Sequence, residues 1–194
     1  IETDYLRHRD LSVFTALRGR LEQQLGLYEA NQDANLFVPA TRSAFFGYLP
    51  SWARYNGPEN YGTPAYPQML IRLNYTLYAR FYERLGETAA AARCRAKGEK
   101  LAANIMRVFW DPAQRAFVNG FREDGSLDTR LCHHTQYWAI LAGLFPDEHL
   151  DALFRNVLPR LPRYYTDISY EKGYELLAYQ KAGRAADFYA NFLL

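Results

Sequence analysis

The stretch from Tyr66 to Leu85 constrains the fold more than any other, because its apolar side chains fall on two faces of a helix instead of one. Leu70, Leu73, Leu77 and Phe81 recur at three- and four-residue spacing, and so do Ile71, Tyr75, Tyr78 and Tyr82. A helix with a single apolar stripe can lie on a surface, whereas one with two must be covered from both sides. The sequence therefore calls for a layered helical fold. Gly86 stops the helix, and Glu87-Thr88 opens a partner with one polar face, running through Leu101 and Ile105 to about Trp110. The unit is an inner helix, a tight glycine turn and an outer amphipathic helix.

That unit recurs. An almost wholly apolar segment from about His134 to Leu144 stops at Gly143-Leu-Phe-Pro146, and Asp147 caps a companion carrying Leu150, Phe154, Val157 and Leu158. A helix from about Ser169 to Ala182 ends at Gly183, and another begins at Arg184. Tyr75-Thr-Leu77 before Gly86 pairs with Tyr174-Glu-Leu176 before Gly183 as the repeat's internal match. Upstream, Asp10 caps a helix with the stripe Phe14, Leu17, Leu21, Leu25 and Tyr28. The stretch from Asn31 to Gly62 has no period and holds Pro39, Pro50, Pro58, Gly47, Gly57 and Gly62, a long irregular excursion of the kind that carries function. Thr63-Pro64 reads as a helix start with Pro at the first helical position. Asp111-Pro112 breaks the pattern, and Ala116 to Gly125 reads as one short β-hairpin with Asp-Gly turn chemistry. Tetratricopeptide arrays repeat at about 34 residues without such long loops. The expected class is all-α, antiparallel helical hairpins forming part of an α/α toroid.

Composition narrows the function. Lys plus Arg number 23 against 21 for Asp plus Glu, a balance that gives no general electrostatic reason to bind nucleic acid or an anionic membrane. No apolar run reaches the length of a membrane span. The two Cys neither staple a miniprotein nor make a zinc site alone, and there is no phosphate loop, nucleophile elbow or HExxH, so no metal or cofactor is expected. Aromatic residues make up 16%, with 16 Tyr, which suits core packing and equally a polar, ring-shaped ligand such as a sugar.

An ordered set of segments resembles the catalytic domain of six-hairpin glycosidases, specifically the bacterial α-L-rhamnosidase-like branch. Phe45-Phe-Gly-Tyr-Leu-Pro50 with Trp52 resembles that family's Phe-Gly-Asp-Trp-Leu-type loop. Leu77, Ala79 and Leu85-Gly86 resemble its inner helix ending in Leu-Gly-Asp. Phe109-Trp-Asp111 followed by Phe117 to Gly125 resembles its hairpin, and His134 to Pro146 its Thr-Gln helix ending Gly-Leu-x-Pro. Tyr174-Glu-Leu-Leu with Ala182-Gly183 resembles its next inner helix. The resemblance implies a carbohydrate substrate and inverting hydrolysis of a terminal sugar, for which two carboxyls about 6.5–9.5 Å apart are required. Neither the family's acidic stretch nor its Trp-Glu motif occurs here, and Tyr48 stands where the family has Asp. Residues 1–194 are thus expected to form a partial domain, roughly the second half of a toroid. Such a piece would be inactive alone, dock with the rest of its own domain, and draw its catalytic acid and base from elsewhere.

Within the chain, the candidate substrate-binding residues are Trp52, Glu59, Tyr61, His133 and Gln136. Glu59 lies in the loop entering the central helix, with Trp52 and Tyr61 around it. His133-His134-Thr135-Gln136 is the densest polar cluster at a helix start, though two adjacent His point in different directions on a helix and do not make a metal pair. A satisfied structural role is the competing expectation for His133 and Gln136. Asp167 and Glu171 read as capping groups, Asp111 as a turn residue and Trp138 as core. The readings set against the glycosidase are a helical scaffold binding a peptide or protein partner, and a sugar epimerase using His133 or His134 as acid and base.

Overall fold

The computed structural model describes residues 10–39, 62–161 and 169–192. The fold is all-α with small antiparallel sheets at one end. In chain order the helices are α1 (Ser12–Asn31), α2 (Ala65–Arg84), α3 (Thr88–Phe109), α4 (His133–Leu141), α5 (Asp147–Ala152), α6 (Ser169–Lys181) and α7 (Ala185–Phe192). α5 runs on through a π-helical stretch, Leu153–Val157, into a 3₁₀ turn, Leu158–Arg160.

The helix α1 is entered through Leu11 at the capping position, one residue later than the expected cap Asp10, whose carboxylate still accepts from Ser12 N at 2.8 Å and Ser12 Oγ at 2.6 Å. From there Phe14, Leu25 and Tyr28 turn inward. Phe14 stacks on Phe81 at 4.5 Å and meets Tyr82 edge-on, which seats α1 against α2. On α3 the buried residues Ala91, Cys94, Gly98, Leu101, Ile105 and Phe109 form one continuous stripe. Gly98 permits a close approach of the α2–α3 pair, since a Cβ there would sit 3.2 Å from that of Tyr75. Tyr75, Ile71 and Met69 are fully buried, each worth about 1.5–3 kcal/mol of apolar burial.

The helices form two layers. α2, α4 and α6 lie side by side and parallel, Tyr66 near His134 and Tyr137 near Glu175, while α3, α5 and α7 follow each as outer returns. Each inner helix ends in the same way. After α2, Gly86 at φ +76° lets its N–H reach Glu83 O and that of Glu87 reach Tyr82 O. Gly143 and Leu144 repeat the pattern on Ile140 and Ala139, and Gly183 and Arg184 repeat it on Gln180 and Tyr179. This double carbonyl cap requires the left-handed conformation that glycine adopts without strain. Counting from these glycines pairs Tyr82 with Tyr179, both buried, and corrects the expected match of Tyr75 with Tyr174: Tyr75 is fully buried and Tyr174 is 41% exposed. Cations from both neighbours complete the end of α4. Arg72 of α2 donates to Ala142 O, and Lys181 of α6 donates to Leu141 O at 2.7 Å.

The opposite end differs from expectation in two respects. Among the described residues two sheets are present where one hairpin is expected. Trp110–Asp111 pairs with Ala116–Phe117, and a second sheet joins Thr63–Pro64, Gly120–Phe121 and Leu127–Asp128. Pro64 precedes the helix instead of opening it. Its extended backbone, φ −67° and ψ 144°, pairs across to Gly120, and Ala65 N donates to Asn119 O at 2.8 Å. A two-residue strand has no periodicity to betray it, whereas Pro followed by helix formers reads as a helix start.

The two-faced character of α2 is also resolved. Ile71, Tyr75, Tyr78 and Tyr82 are buried against α1 and α3, but Leu70, Leu73 and Leu77 are only half-buried. They share a face with Tyr66, turned away from α3. On α4 the matching face carries His134, Trp138 and Leu141, all half-buried, and on α6 it carries the exposed Tyr174 and Leu177. The parallel inner helices thus present one common surface.

Candidate functional site

The polar chemistry gathers where α2 and α4 begin. The segment that turns into α4 leaves the second sheet through Asp128, whose side chain is fully buried. Asp128 Oδ1 accepts from Arg130 Nε at 2.9 Å and lies 3.5 Å from Arg122 Nη2, and Oδ2 accepts from Asn119 Nδ2 at 3.4 Å. Burial opposes ionisation of Asp128, but the Arg130 guanidinium and backbone N–H, with Asn119, outweigh it and hold the carboxyl below its usual range. Asp128 is therefore a fixed anion that organises two arginines at the rim, unsuited to giving up a proton near neutral pH. Cys132 is buried, its Sγ 3.2 Å from Thr135 Oγ1, and burial raises its thiol pKa, so it offers no ready thiolate.

Gln136 is fully buried. Its Nε2 donates to Phe117 O at 2.7 Å and to Cys132 O at 3.3 Å, while Oε1 accepts from Phe117 N at 3.0 Å. Both amide hydrogens are committed to the backbone, which ties α4 to the first sheet. Gln68 acts likewise at the start of α2, exchanging hydrogen bonds with Val38 N and O at 2.9 and 3.0 Å and donating to Pro64 O at 3.1 Å. His133 and His134 are half-buried and diverge as their adjacency requires. His133 lies 5.8 Å from the Tyr137 ring, and His134 lies 6.0 Å from the Tyr66 ring. Asp111 closes its turn by accepting from Ala113 N, Gln114 N and Gln114 Nε2. Trp52, Glu59 and Tyr61 lie outside the described residues, as do Asp167 and the side chain of Glu171.

Sequence reasoning passed over Glu175. Its carboxylate accepts from Tyr137 Oη and Lys172 Nζ, both at 2.9 Å, and bridges α4 to α6 with only 12% of the side chain exposed. The signal was present, for Glu175 is a carboxylate flanked by Tyr174 and Leu176 on an inner helix, three residues after Lys172. Trp138, expected in the core, is half-buried instead and meets the Tyr174 ring at 4.8 Å. An all-round apolar helix conceals which of its residues face a neighbour and which face open space.

Among the described residues, no group of three or more His, Cys, Asp or Glu stands together in a manner able to hold a metal ion. No described helix is long and apolar enough to cross a membrane.

Comparison with known proteins places this geometry in a fold. No protein-family profile matches the chain. A rhamnosidase from Klebsiella oxytoca with rhamnose bound superposes on 97% of the chain at a TM-score of 0.73 and 19% identity. The chain therefore has the fold of part of that protein, the α/α arrangement anticipated from its hairpins and glycine turns. A 3-O-β-D-glucopyranosyl-β-D-glucuronide phosphorylase from Paenibacillus borealis is 31% identical over 105 residues, half of this chain. The superposition spans 34% of the rhamnosidase, and the alignment spans 13% of the phosphorylase. Both relatives are named for activity on glycosides, and the chain is similar to a portion of each.

Proposed function

We propose that this chain is part of the helical ring of a glycoside-active enzyme, supplying wall and part of the sugar-binding mouth. The observation that carries the reading is the 0.73 superposition on the rhamnosidase across 97% of the chain. In this reading the enzyme releases a terminal sugar by single displacement. A carboxylic acid protonates the leaving oxygen while a carboxylate on the opposite face activates water. Asp128 serves neither role, being buried and bound to arginine. The catalytic pair belongs to the remainder of a longer polypeptide, which docks against this arc, and the chain by itself is inactive.

The alignment with the phosphorylase favours a second reading, in which inorganic phosphate replaces water as the nucleophile. One set of assays separates the two. The 194-residue chain and the polypeptide encoded by its whole reading frame are each incubated with an aryl α-L-rhamnoside and with glucosyl-glucuronide, with and without phosphate. The first reading expects phosphate-independent release of the inverted sugar by the longer polypeptide alone. The second expects a sugar 1-phosphate only when phosphate is added. Turnover by the 194-residue chain overturns its inactivity, and no turnover by either protein overturns the enzymatic reading.

A further inference from the structure

A cavity of about 260 Å³ opens between α2 and α3, toward the C-terminal ends of the inner helices and away from their starts. α4 ends level with Arg72, whose Nη1 donates to Ala142 O, while α2 runs on to Arg84. Along that continuation Ala79 of α2 and Gly98 of α3 line the space without filling it. The polar lining is mostly cationic. Arg72, Thr76 and Arg80 follow one another at four-residue spacing on one face of α2, and Arg95 and Glu99 line the cavity from α3. Arg95 takes up Glu83 in an ion pair, which leaves Glu99 as the remaining carboxylate opposite Arg72 and Arg80. Lys181 brings a further cation to this end. Its Nζ and Arg72 Nη1 each stand 3.6 Å from the point that a Cβ on Gly143 would occupy.

Arg72 is incompletely held. Its Nε is buried and has no hydrogen-bond partner among the described residues. Burial and the nearby Arg80 charge both lower the Arg72 pKa, and Glu99 offsets only part of this. A buried cationic donor without an acceptor, set beside a like charge, is an arrangement that an anion would relieve on both counts. We propose that this cavity binds a single phosphate group, gripped by the Arg72 and Arg80 guanidiniums with Arg95 at its edge. The proposal goes beyond the glycoside-active reading and does not depend on it. A tetrahedral dianion accepts from several guanidinium forks at once, whereas a planar carboxylate satisfies one. The volume falls below the roughly 300–1,000 Å³ of pockets that enclose whole ligands, so the cavity suits a small ion or the phosphoryl end of an ester. A purely structural ion-pair network accounts for Arg95 and Glu83 but not for Arg72, whose hydrogen bonding is to one backbone carbonyl.

Isothermal titration calorimetry of the 194-residue chain with inorganic phosphate tests the proposal, with sodium chloride at matched ionic strength as the control. Saturable binding of one phosphate per chain is expected. Arg80→Gln, at an exposed position, should weaken it about tenfold or more, the scale of one charge-assisted hydrogen bond. Arg72→Lys keeps the charge but loses the planar fork and should weaken it comparably. Arg93→Gln, in a separate groove between α1 and α3, should leave it unchanged. Thermal unfolding gives a second readout, in which phosphate raises the melting temperature of the wild type more than that of Arg80→Gln. Comparing the two proteins removes the general stabilising effect of phosphate on any fold. A parallel titration with glucose 1-phosphate separates the sources of the group. Tighter binding than inorganic phosphate assigns the site to an ester, and weaker binding assigns it to the free ion. The absence of saturable binding of either ligand to the wild type overturns the proposal. So does binding that Arg80→Gln leaves intact, or that Arg93→Gln weakens as much, since net charge alone would then account for it.

Discussion

The two ends of the inner helices are built on opposite principles. At their C-terminal ends each helix is closed chiefly from within, through a glycine and two backbone hydrogen bonds within six residues of chain, with Arg72 and Lys181 adding to α4 from its neighbours. At the N-terminal ends of α2 and α4 most of the ties run to distant segments. Ala65 N depends on Asn119 O, Phe117 depends on Gln136, Val38 depends on Gln68, and Asp128 gathers Arg122, Arg130 and Asn119. The self-closing end tolerates change one turn at a time. The N-terminal end is a cross-linked assembly in which one alteration reaches several segments.

Substitutions can break or sharpen this contrast. The largest effect is expected from Gly120→Ala at the N-terminal end, where φ is +129° and a Cβ would fall 2.4 Å from Thr63 O and 2.8 Å from Ala65 N. No side chain fits there without parting the second sheet from the start of α2, so a loss of more than about 3 kcal/mol is expected in urea unfolding. Gln136→Leu comes next. It leaves Phe117 N and O and Cys132 O without their partner and should cost roughly 2–4 kcal/mol, since each buried unsatisfied group costs about 1–3.

Asp128→Asn should cost about 2 kcal/mol near neutral pH and, more tellingly, change the acid limb of stability. The folded carboxyl titrates below its unfolded value of about 3.9, so its stabilisation is complete above that pH and fades as pH falls through the folded value. The gap between wild type and variant in urea unfolding should therefore be narrower at pH 3 than at pH 7. At the self-closing end, Gly86→Ala meets no atom within 4 Å and bears only the left-handed strain, about 1 kcal/mol. A Gly86→Ala loss as large as that of Gly120→Ala would remove the distinction between the ends.

The same contrast explains what could be read in the sequence. Gly86, Gly143 and Gly183 announce helix ends because the rule they obey is local, and the stripes of α1 and α3 are periodic for the same reason. Pro64 misleads because its partner, Gly120, lies 56 residues away and leaves no mark on its neighbours. At the candidate site, His133-His134-Thr135-Gln136 drew notice as a polar cluster, yet only the fold distributes the roles. Gln136 turns inward to the backbone, His133 toward Tyr137 and His134 toward Tyr66. Trp138 and Tyr174 are 36 positions apart and belong together only because α4 and α6 run parallel.

α4 spans nine residues, too few to hold helical structure unaided in water. Its last carbonyls are taken by Arg72 from one side and Lys181 from the other, and its first turn is anchored by Gln136 to Phe117. The middle inner helix is thus held by both of its flanking helices and by the first sheet. Its amide hydrogens should exchange with solvent in step with the α2–α6 framework, as one cooperative block and never by separate fraying.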